Sequence, residues 1–284
     1  MGVVAVSCAA VFVRFAHAEG MPTLSIAAWR MVFACAVLFP YATLTCRTEM
    51  FPASRKELLL MAASGIFLGL HFAAWISSLG FTSVASSVVL VSMGPLFVAL
   101  GSWVLLRERP GRATMIGLVF AAVGSIIIGA NDFGRGRHQL LGDILALAGA
   151  LFVAGYFLLG RKVRPHRSLI AYIAPVYGVA MLTLLVAVMI TRQPMTGFSI
   201  SAYLWALALG LVPQLIGHSA LNWALARLSA SFVAILTLAE PVGASILAWL
   251  VLREEISLQT ALGALPILAG IYIASRAELS QKRR

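Results

Sequence analysis

Charge is scarce in this sequence. Of its 284 residues only 11% are Asp, Glu, Lys or Arg, and just 10 are acidic. An ordinary soluble domain carries roughly 25% charged and about 45–50% apolar residues. With 61% hydrophobic residues and a mean hydropathy of +0.96, this chain lacks the polar surface to cover a water-soluble core. Cysteine is nearly absent too. Cys8, Cys35 and Cys46 are well separated, with no CxxC or Cys/His ligand spacing, so disulfide and metal readings both fail. The sequence also has no GxSxG, no HExxH and no Walker motif. Hydrolytic, zinc-dependent and ATP-driven chemistry therefore lose their usual signatures, and neither a cofactor nor an ATPase subunit is implied.

What is present is apolar and periodic. Apolar runs fall at about 3–18, 24–45, 58–79, 83–106, 113–131, 139–160, 168–191, 199–224, 229–252 and 258–275. A bilayer needs about 20 residues per helical span, and lipid-embedded backbone must pair its own hydrogen bonds. The expected fold is all-α: a polytopic membrane protein with ten transmembrane helices. The N-terminal run ends in Ala16-His17-Ala18, which looks like a signal cleavage site. No basic residue precedes it and Arg14 interrupts it, so a retained first span is expected.

The formal charge of +11 would suit nucleic acid if it were clustered on one soluble face. Its placement says otherwise. With the N-terminus inside, loops and ends on the inner side carry 15 basic residues and those outside carry 4, namely Arg135, Arg137, Arg192 and Arg253. That asymmetry is the positive-inside signature. It predicts both termini in the cytoplasm, lipid as the surrounding partner, and no nucleic acid.

The chain also repeats itself. At an offset of 146, Leu79, Ser83, Leu90, Pro95, Trp103, Leu106, Arg107, Glu108, Thr114, Gly117, Gly124 and Ile127 recur as Leu225, Ser229, Leu236, Pro241, Trp249, Leu252, Arg253, Glu254, Thr260, Gly263, Gly270 and Ile273. The expected domains are a first five-helix repeat over 1–131, a second over 139–276, and a basic cytoplasmic tail over 277–284. Five is odd, so the two repeats enter the membrane in opposite senses. Inverted repeats place a substrate site near the midplane and permit alternating access.

These stretches carry a family resemblance. PLFVALGSWVLLRE from Pro95 to Glu108 and PVGASILAWLVLRE from Pro241 to Glu254 each lead with Pro, end in a leucine-rich run and Glu, and precede a Gly-spaced helix. Together with Ala27-Ala28-Trp29-Arg30, they make the sequence resemble the drug/metabolite transporter superfamily, specifically its EamA-type ten-helix members. The resemblance implies export of small metabolites across a bacterial inner membrane. Within the family it points to aromatic and neutral amino-acid exporters of the YddG kind. Gly94 against Glu240 breaks the repeat symmetry.

Two polar stripes interrupt apolar spans. His71, Trp75 and Ser78 stand at i, i+4 and i+7, while Gln214, His218 and Asn222 stand at i, i+4 and i+8. Such stripes do not face lipid. They either line a cavity that binds substrate or make interhelical hydrogen bonds worth about 0.6–2 kcal/mol each. Two matched stripes favour the cavity. Glu240 is the acid deep within a span, and an ionised carboxylate at the bilayer centre costs at least ~2.5 kcal/mol. It therefore serves charge coupling, or an amino group, or the local needs of the Pro241 break. Arg30 meets a substrate carboxylate, pairs with Asp143 or Glu240, or caps carbonyls. Pro95 and Pro241 read as paired hinges or as tolerated prolines in straight helices. Tyr156, Phe152 and Trp223 read as packing or interfacial anchors, with cavity lining as the alternative, and Gly65, Gly69, Gly117, Gly124, Gly263 and Gly270 as close helix contacts.

A secondary transporter of small metabolites, above all amino acids, accounts for these features together. Other cargo (a nucleoside, a polyamine, a drug-like amine), a channel, or a membrane-embedded enzyme are the alternatives. The enzyme reading lacks a nucleophile with a base or a second acid near Glu240.

Overall fold

A computed structural model describes residues 1–49, 54–82, 87, 90–129, 139–253 and 258–282, and every element in them is helical. Ser83, Arg135, Arg137, Glu254, Arg283 and Arg284 lie outside the described residues. The helices are α1 (Gly2–Ala18), α2 (Thr23–Thr45), α3 (Arg55–Ser78), α4 (Gly94–Gly101), α5 (Arg112–Gly129) and α6 (Gln139–Val163). The remainder are α7 (Leu169–Thr191), α8 (Ile200–Leu209), α9 (Ser219–Leu225), α10 (Ala230–Thr237), α11 (Glu240–Leu247) and α12 (Leu258–Lys282). π-Helical stretches extend α4 over Ser102–Leu106, join α8 to α9 over Gly210–His218, and extend α11 over Ala248–Leu252.

Among the described residues, seven helical segments are long and apolar enough to cross a membrane, and Gly2–Ala18, Gly94–Leu106 and Arg112–Ile128 are shorter apolar helices. The chain is thus a polytopic membrane protein. Large side chains such as Trp103, Met115, Phe120, Leu204 and Leu265 stand exposed on its outer faces, where lipid rather than water accepts them. Helix starts follow local chemistry. The hydroxyl of Ser54 accepts from the Glu57 N–H at 3.2 Å, and Ser199 accepts from Ala202 at 3.1 Å. Each supplies one of the acceptors that a first turn lacks.

Glycines set the interhelical distances. A Cβ at Gly65 would stand 2.6 Å from the Val176 carbonyl, and one at Gly69 would stand 2.7 Å from Thr183, so α3 lies backbone-close to α7. The other flank of α3 meets α6, where Gly155 receives Phe67 and Gly149 receives Trp75. The contact between α5 and α12 is tighter still. Gly117 lies against the Gly270 carbonyl, and Gly124 against the Gly263 carbonyl, with virtual Cβ distances of 2.5 and 2.4 Å.

The sequence match at offset 146 extends to conformation. Both π-helical extensions, Ser102–Leu106 and Ala248–Leu252, occupy matched positions. Each is followed by an arginine in the left-handed region, Arg107 at φ 57° and Arg253 at φ 56°. That region costs a side-chain-bearing residue about 1–2 kcal/mol, and glycine is free of the penalty but loses more chain entropy. Arg107→Gly and Arg253→Gly are each expected to stabilise the protein by about 0.5–1 kcal/mol. Thermal melting in detergent checks this, and a lower melting temperature for both would contradict it.

Both prolines named as hinges stand in the first turn of a restarted helix, Pro95 in α4 and Pro241 in α11. A first turn needs no donor from its second residue, so neither proline breaks a ladder. Just before α11, the N–H groups of Leu238 and Ala239 reach back only three residues, to Ile235 and Leu236. The helix is interrupted there.

Candidate functional site

The elements around Arg30 are fixed by the first half of α2. At its start, Leu24 N–H donates to the Gln193 side chain at 3.1 Å, Ser25 to the Pro194 carbonyl at 2.6 Å, and Trp29 to the Met195 carbonyl at 2.8 Å. One turn further on, Gly210 lets the π-helical stretch approach the Arg30 carbonyl, with a virtual Cβ distance of 2.8 Å. Arg30 itself is 1% exposed. Its Nε donates to Gln214 Oε1 at 3.0 Å, and its Cζ lies 4.0 Å from the centre of the Phe72 ring.

Beside it is a cavity of about 100 Å³ whose wall includes Arg30, His71, Phe72, Trp75, Phe157, His218, Glu240 and Pro241. His71 and Trp75 stack with rings 6° from parallel and centres 6.1 Å apart. The Gly149 carbonyl, 2.9 Å from His71 Nδ1, can only accept, so Nδ1 carries the hydrogen. His218 presents its ring edge-on to Phe72 at 5.3 Å. Three polar side-chain atoms of these wall residues, Arg30 Nη2, Trp75 Nε1 and His218 Nδ1, are buried with no hydrogen-bond partner among the described residues. Buried polar groups normally find one. All three belong to residues that line this one cavity.

The expected site residues divide into two sets. Arg30, His71, Trp75, His218, Glu240 and Pro241 come together on the wall. Ser78, Gln214, Asn222 and Pro95 do not line it. Ser78 bonds Ser87 at 2.6 Å and the Trp75 carbonyl at 2.7 Å. Gln214 lies behind Arg30, with its Nε2 unpartnered among the described residues. The Asn222 side chain donates to the Tyr156 hydroxyl and to the His218 carbonyl, while its main-chain carbonyl accepts from Arg164 Nε at 2.9 Å. Asp143 accepts from Thr82 at 2.9 Å.

The matched positions have different surroundings. A Cβ at Gly94 would stand 3.1 Å from the Val153 side chain and 3.5 Å from the Ala150 carbonyl, whereas its counterpart Glu240 lines the cavity. Phe72, Val153, Phe157, Ser92 and Thr237 belong to the wall and were not singled out by the stripes. The adjacent cluster of fully buried Tyr156, Tyr172 and Tyr177 also exceeds what the sequence pattern marked, beyond Tyr156 alone. Trp223 is half exposed, under the guanidinium of Arg227 at 4.1 Å, which fits an interfacial anchor. Glu108 pairs with Arg161 at 3.0 Å. No group of three or more His, Cys, Asp or Glu able to hold a metal occurs among the described residues.

The family model for EamA-like transporters matches residues 1–130 and 140–276, nearly all of the sequence. The chain belongs to the EamA-like transporter family. This EamA-like protein is therefore, by kinship, a membrane transporter of metabolites. It is 26% identical over 271 residues to the uncharacterized transporter YetK of Bacillus subtilis, covering 90% of this chain and 79% of that one. It is 25% identical over 262 residues to an uncharacterized transporter of Archaeoglobus fulgidus, covering 92% and 90%. A riboflavin transporter of Vibrio cholerae is 29% identical over 158 residues, covering 52% of this chain and 49% of that one. A crystal structure at 19% identity superposes with a TM-score of 0.81 over 99% of this chain and 96% of the other. At that identity the match establishes the fold alone.

Proposed function

We propose that this EamA-like protein exports a small zwitterionic metabolite, an amino acid with a neutral or aromatic side chain, across a bacterial inner membrane by alternating access. The observation that carries the reading is the cavity wall itself. Arg30 offers an unpartnered guanidinium end to a carboxylate, and Glu240 offers a carboxylate to an ammonium group. Trp75 and His218 add polar atoms, and Phe72 and Phe157 add apolar surface for a side chain. A buried arginine is the residue type suited to a carboxylate, because its planar fork matches both oxygens.

The transport cycle rests on ten transmembrane helices in two inverted five-helix repeats, with both termini cytoplasmic and Pro95 and Pro241 as hinges. Four features support that arrangement. The π-helical extensions and left-handed arginines recur at offset 146. Gly117 touches Gly270 while Gly124 touches Gly263, and a pseudo-twofold exchanging the repeats interconverts those two contacts. Pro95 and Pro241 both stand where helices restart. The 15-to-4 basic asymmetry sets the sidedness.

A flatter, larger cargo is the second reading, favoured by the riboflavin transporter among the relatives. The cavity volume of about 100 Å³ suits the smaller one, since drug-sized ligands occupy about 300–1,000 Å³. Uptake of radiolabelled L-amino acids, riboflavin, polyamines and nucleosides into liposomes holding the purified protein separates them. Saturable uptake of at least one amino acid is expected, and uptake confined to riboflavin or to none of these would reject the assignment. Glu240→Gln removes the titratable group from the wall. It is expected to abolish the response of uptake to an imposed pH gradient and also to raise KM for substrates that carry an ammonium group. A pH response equal to that of the unmodified protein would remove Glu240 from coupling.

A further inference from the structure

Gln214 lies on the polar stripe of the eighth apolar run, yet it is fully buried behind the cavity rather than on its wall. Its position follows from the local chain. Pro213 supplies no backbone donor, and the helix widens into the π-helical stretch Gly210–His218, a distortion common at functional sites. Gly210 brings that stretch against the Arg30 carbonyl, which puts the Gln214 side chain within reach of the guanidinium. Arg30 Nε can only donate, so the atom 3.0 Å away must be the amide oxygen.

That bond constrains Arg30 closely. Gln214 holds the Nε edge, and Phe72 covers one face at 4.0 Å. What remains are the two terminal nitrogens, of which Nη2 is buried and without a hydrogen-bond partner among the described residues. The chemistry of the holder matters as much as its place. A carboxylate at position 214 would fix the guanidinium equally well but would also neutralise it. An amide orients it and adds no second negative charge to that of Glu240, which shares the cavity wall and acts on Arg30 electrostatically.

We infer that Gln214 is a positioning residue which aims the Arg30 guanidinium into the cavity without cancelling its charge, and so sets the preference for carboxylate-bearing substrates. The inference rests on the proposed reading of Arg30 as the carboxylate partner. It assigns Gln214 a role through Arg30, in place of the direct substrate contact that its stripe suggests.

The test compares L-phenylalanine, L-leucine and L-threonine, each against its own carboxamide, as competitors for uptake into liposomes. The unmodified protein is expected to prefer the acid by about tenfold or more, the size of a charge-assisted hydrogen bond. In Gln214→Glu that preference is expected to fall to about twofold or less, because the new carboxylate occupies Arg30. In Gln214→Met, of similar volume, KM for the acid is expected to rise about tenfold with Vmax held within about twofold, since orientation is lost and the charge is kept. The methionine variant also carries the test if the glutamate variant does not fold. An unmodified protein indifferent to amidation for all three pairs would overturn the reading of Arg30 and the inference with it. Discrimination in the unmodified protein that survives intact in the folded variants would overturn the role of Gln214 alone.

Discussion

Arg30→Met is expected to lower amino-acid uptake about 100-fold, the effect of removing a charge-assisted hydrogen bond from a site shielded from water. Methionine keeps much of the side-chain volume, so the packing against Phe72 persists and the loss falls on the polar end. Two further consequences separate a binding role from a structural one. Arg30→Lys keeps the charge but not the planar fork or the Nε bond to Gln214, so about a tenfold loss is expected. An amine lacking the carboxylate loses little in the methionine variant, because it never used the guanidinium. Initial uptake rates, normalised to protein that elutes as a single peak in detergent, decide the matter. Uptake by Arg30→Met within about threefold of the unmodified protein would be too small a change for a charge interaction of this kind and would remove Arg30 from the site.

The second large effect is on the scaffold. Gly117→Leu or Gly270→Leu is expected to destabilise the protein by about 3 kcal/mol or more, at the upper end of what overpacking costs. The cause is geometric. A Cβ at Gly117 would stand 2.5 Å from the Gly270 carbonyl, and one at Gly270 would stand 2.3 Å from the Gly117 carbonyl. Backbone cannot rotate aside as a side chain can, so α5 and α12 must separate. In a membrane such close approach is the principal source of helix association, because lipid tails offer no hydrophobic drive. Gly80→Ala is the control: its nearest neighbour is the Ser77 carbonyl at 3.4 Å, and a change within about 0.5 kcal/mol is expected. Thermal melting in detergent compares the three. Equal melting temperatures would contradict the packing account.

Much of this organisation was legible in the sequence, and the reason is chemical. Lipid forces continuous apolar runs and leaves polar residues nowhere to hide, so the membrane helices and the stripes bearing His71 and His218 stand out. The duplicated glycines could be read as close contacts, but sequence does not say that Gly117 meets Gly270 rather than its own equivalent, Gly263. Nor does a regular helical period foresee Gly210–His218. The π-helical turn there, with Pro213 inside it, takes Gln214 away from the wall and places it behind Arg30. Ser78 and Asn222 share their stripes with wall residues, yet Ser87 and Tyr156 engage them. Those partners stand 9 and 66 positions away along the chain. Whether a buried polar group bonds the protein or faces a cavity depends on such neighbours, and one-dimensional spacing does not carry them. Phe72 and Phe157 were illegible for a simpler reason: an apolar wall residue looks the same as a core residue.

Counterflow in liposomes tests the central claim, that one midplane site is reached from each side in turn. Vesicles containing the purified protein are loaded with millimolar unlabelled L-amino acid from the set that competes for uptake, then diluted into trace labelled amino acid. A carrier returns its site to the outside each time it discharges, so label is expected to rise transiently above its equilibrium level and then decay. The overshoot should vanish in Arg30→Met. Label that climbs only to equilibrium, at a rate indifferent to what is loaded inside, would mean an open pore and would contradict alternating access.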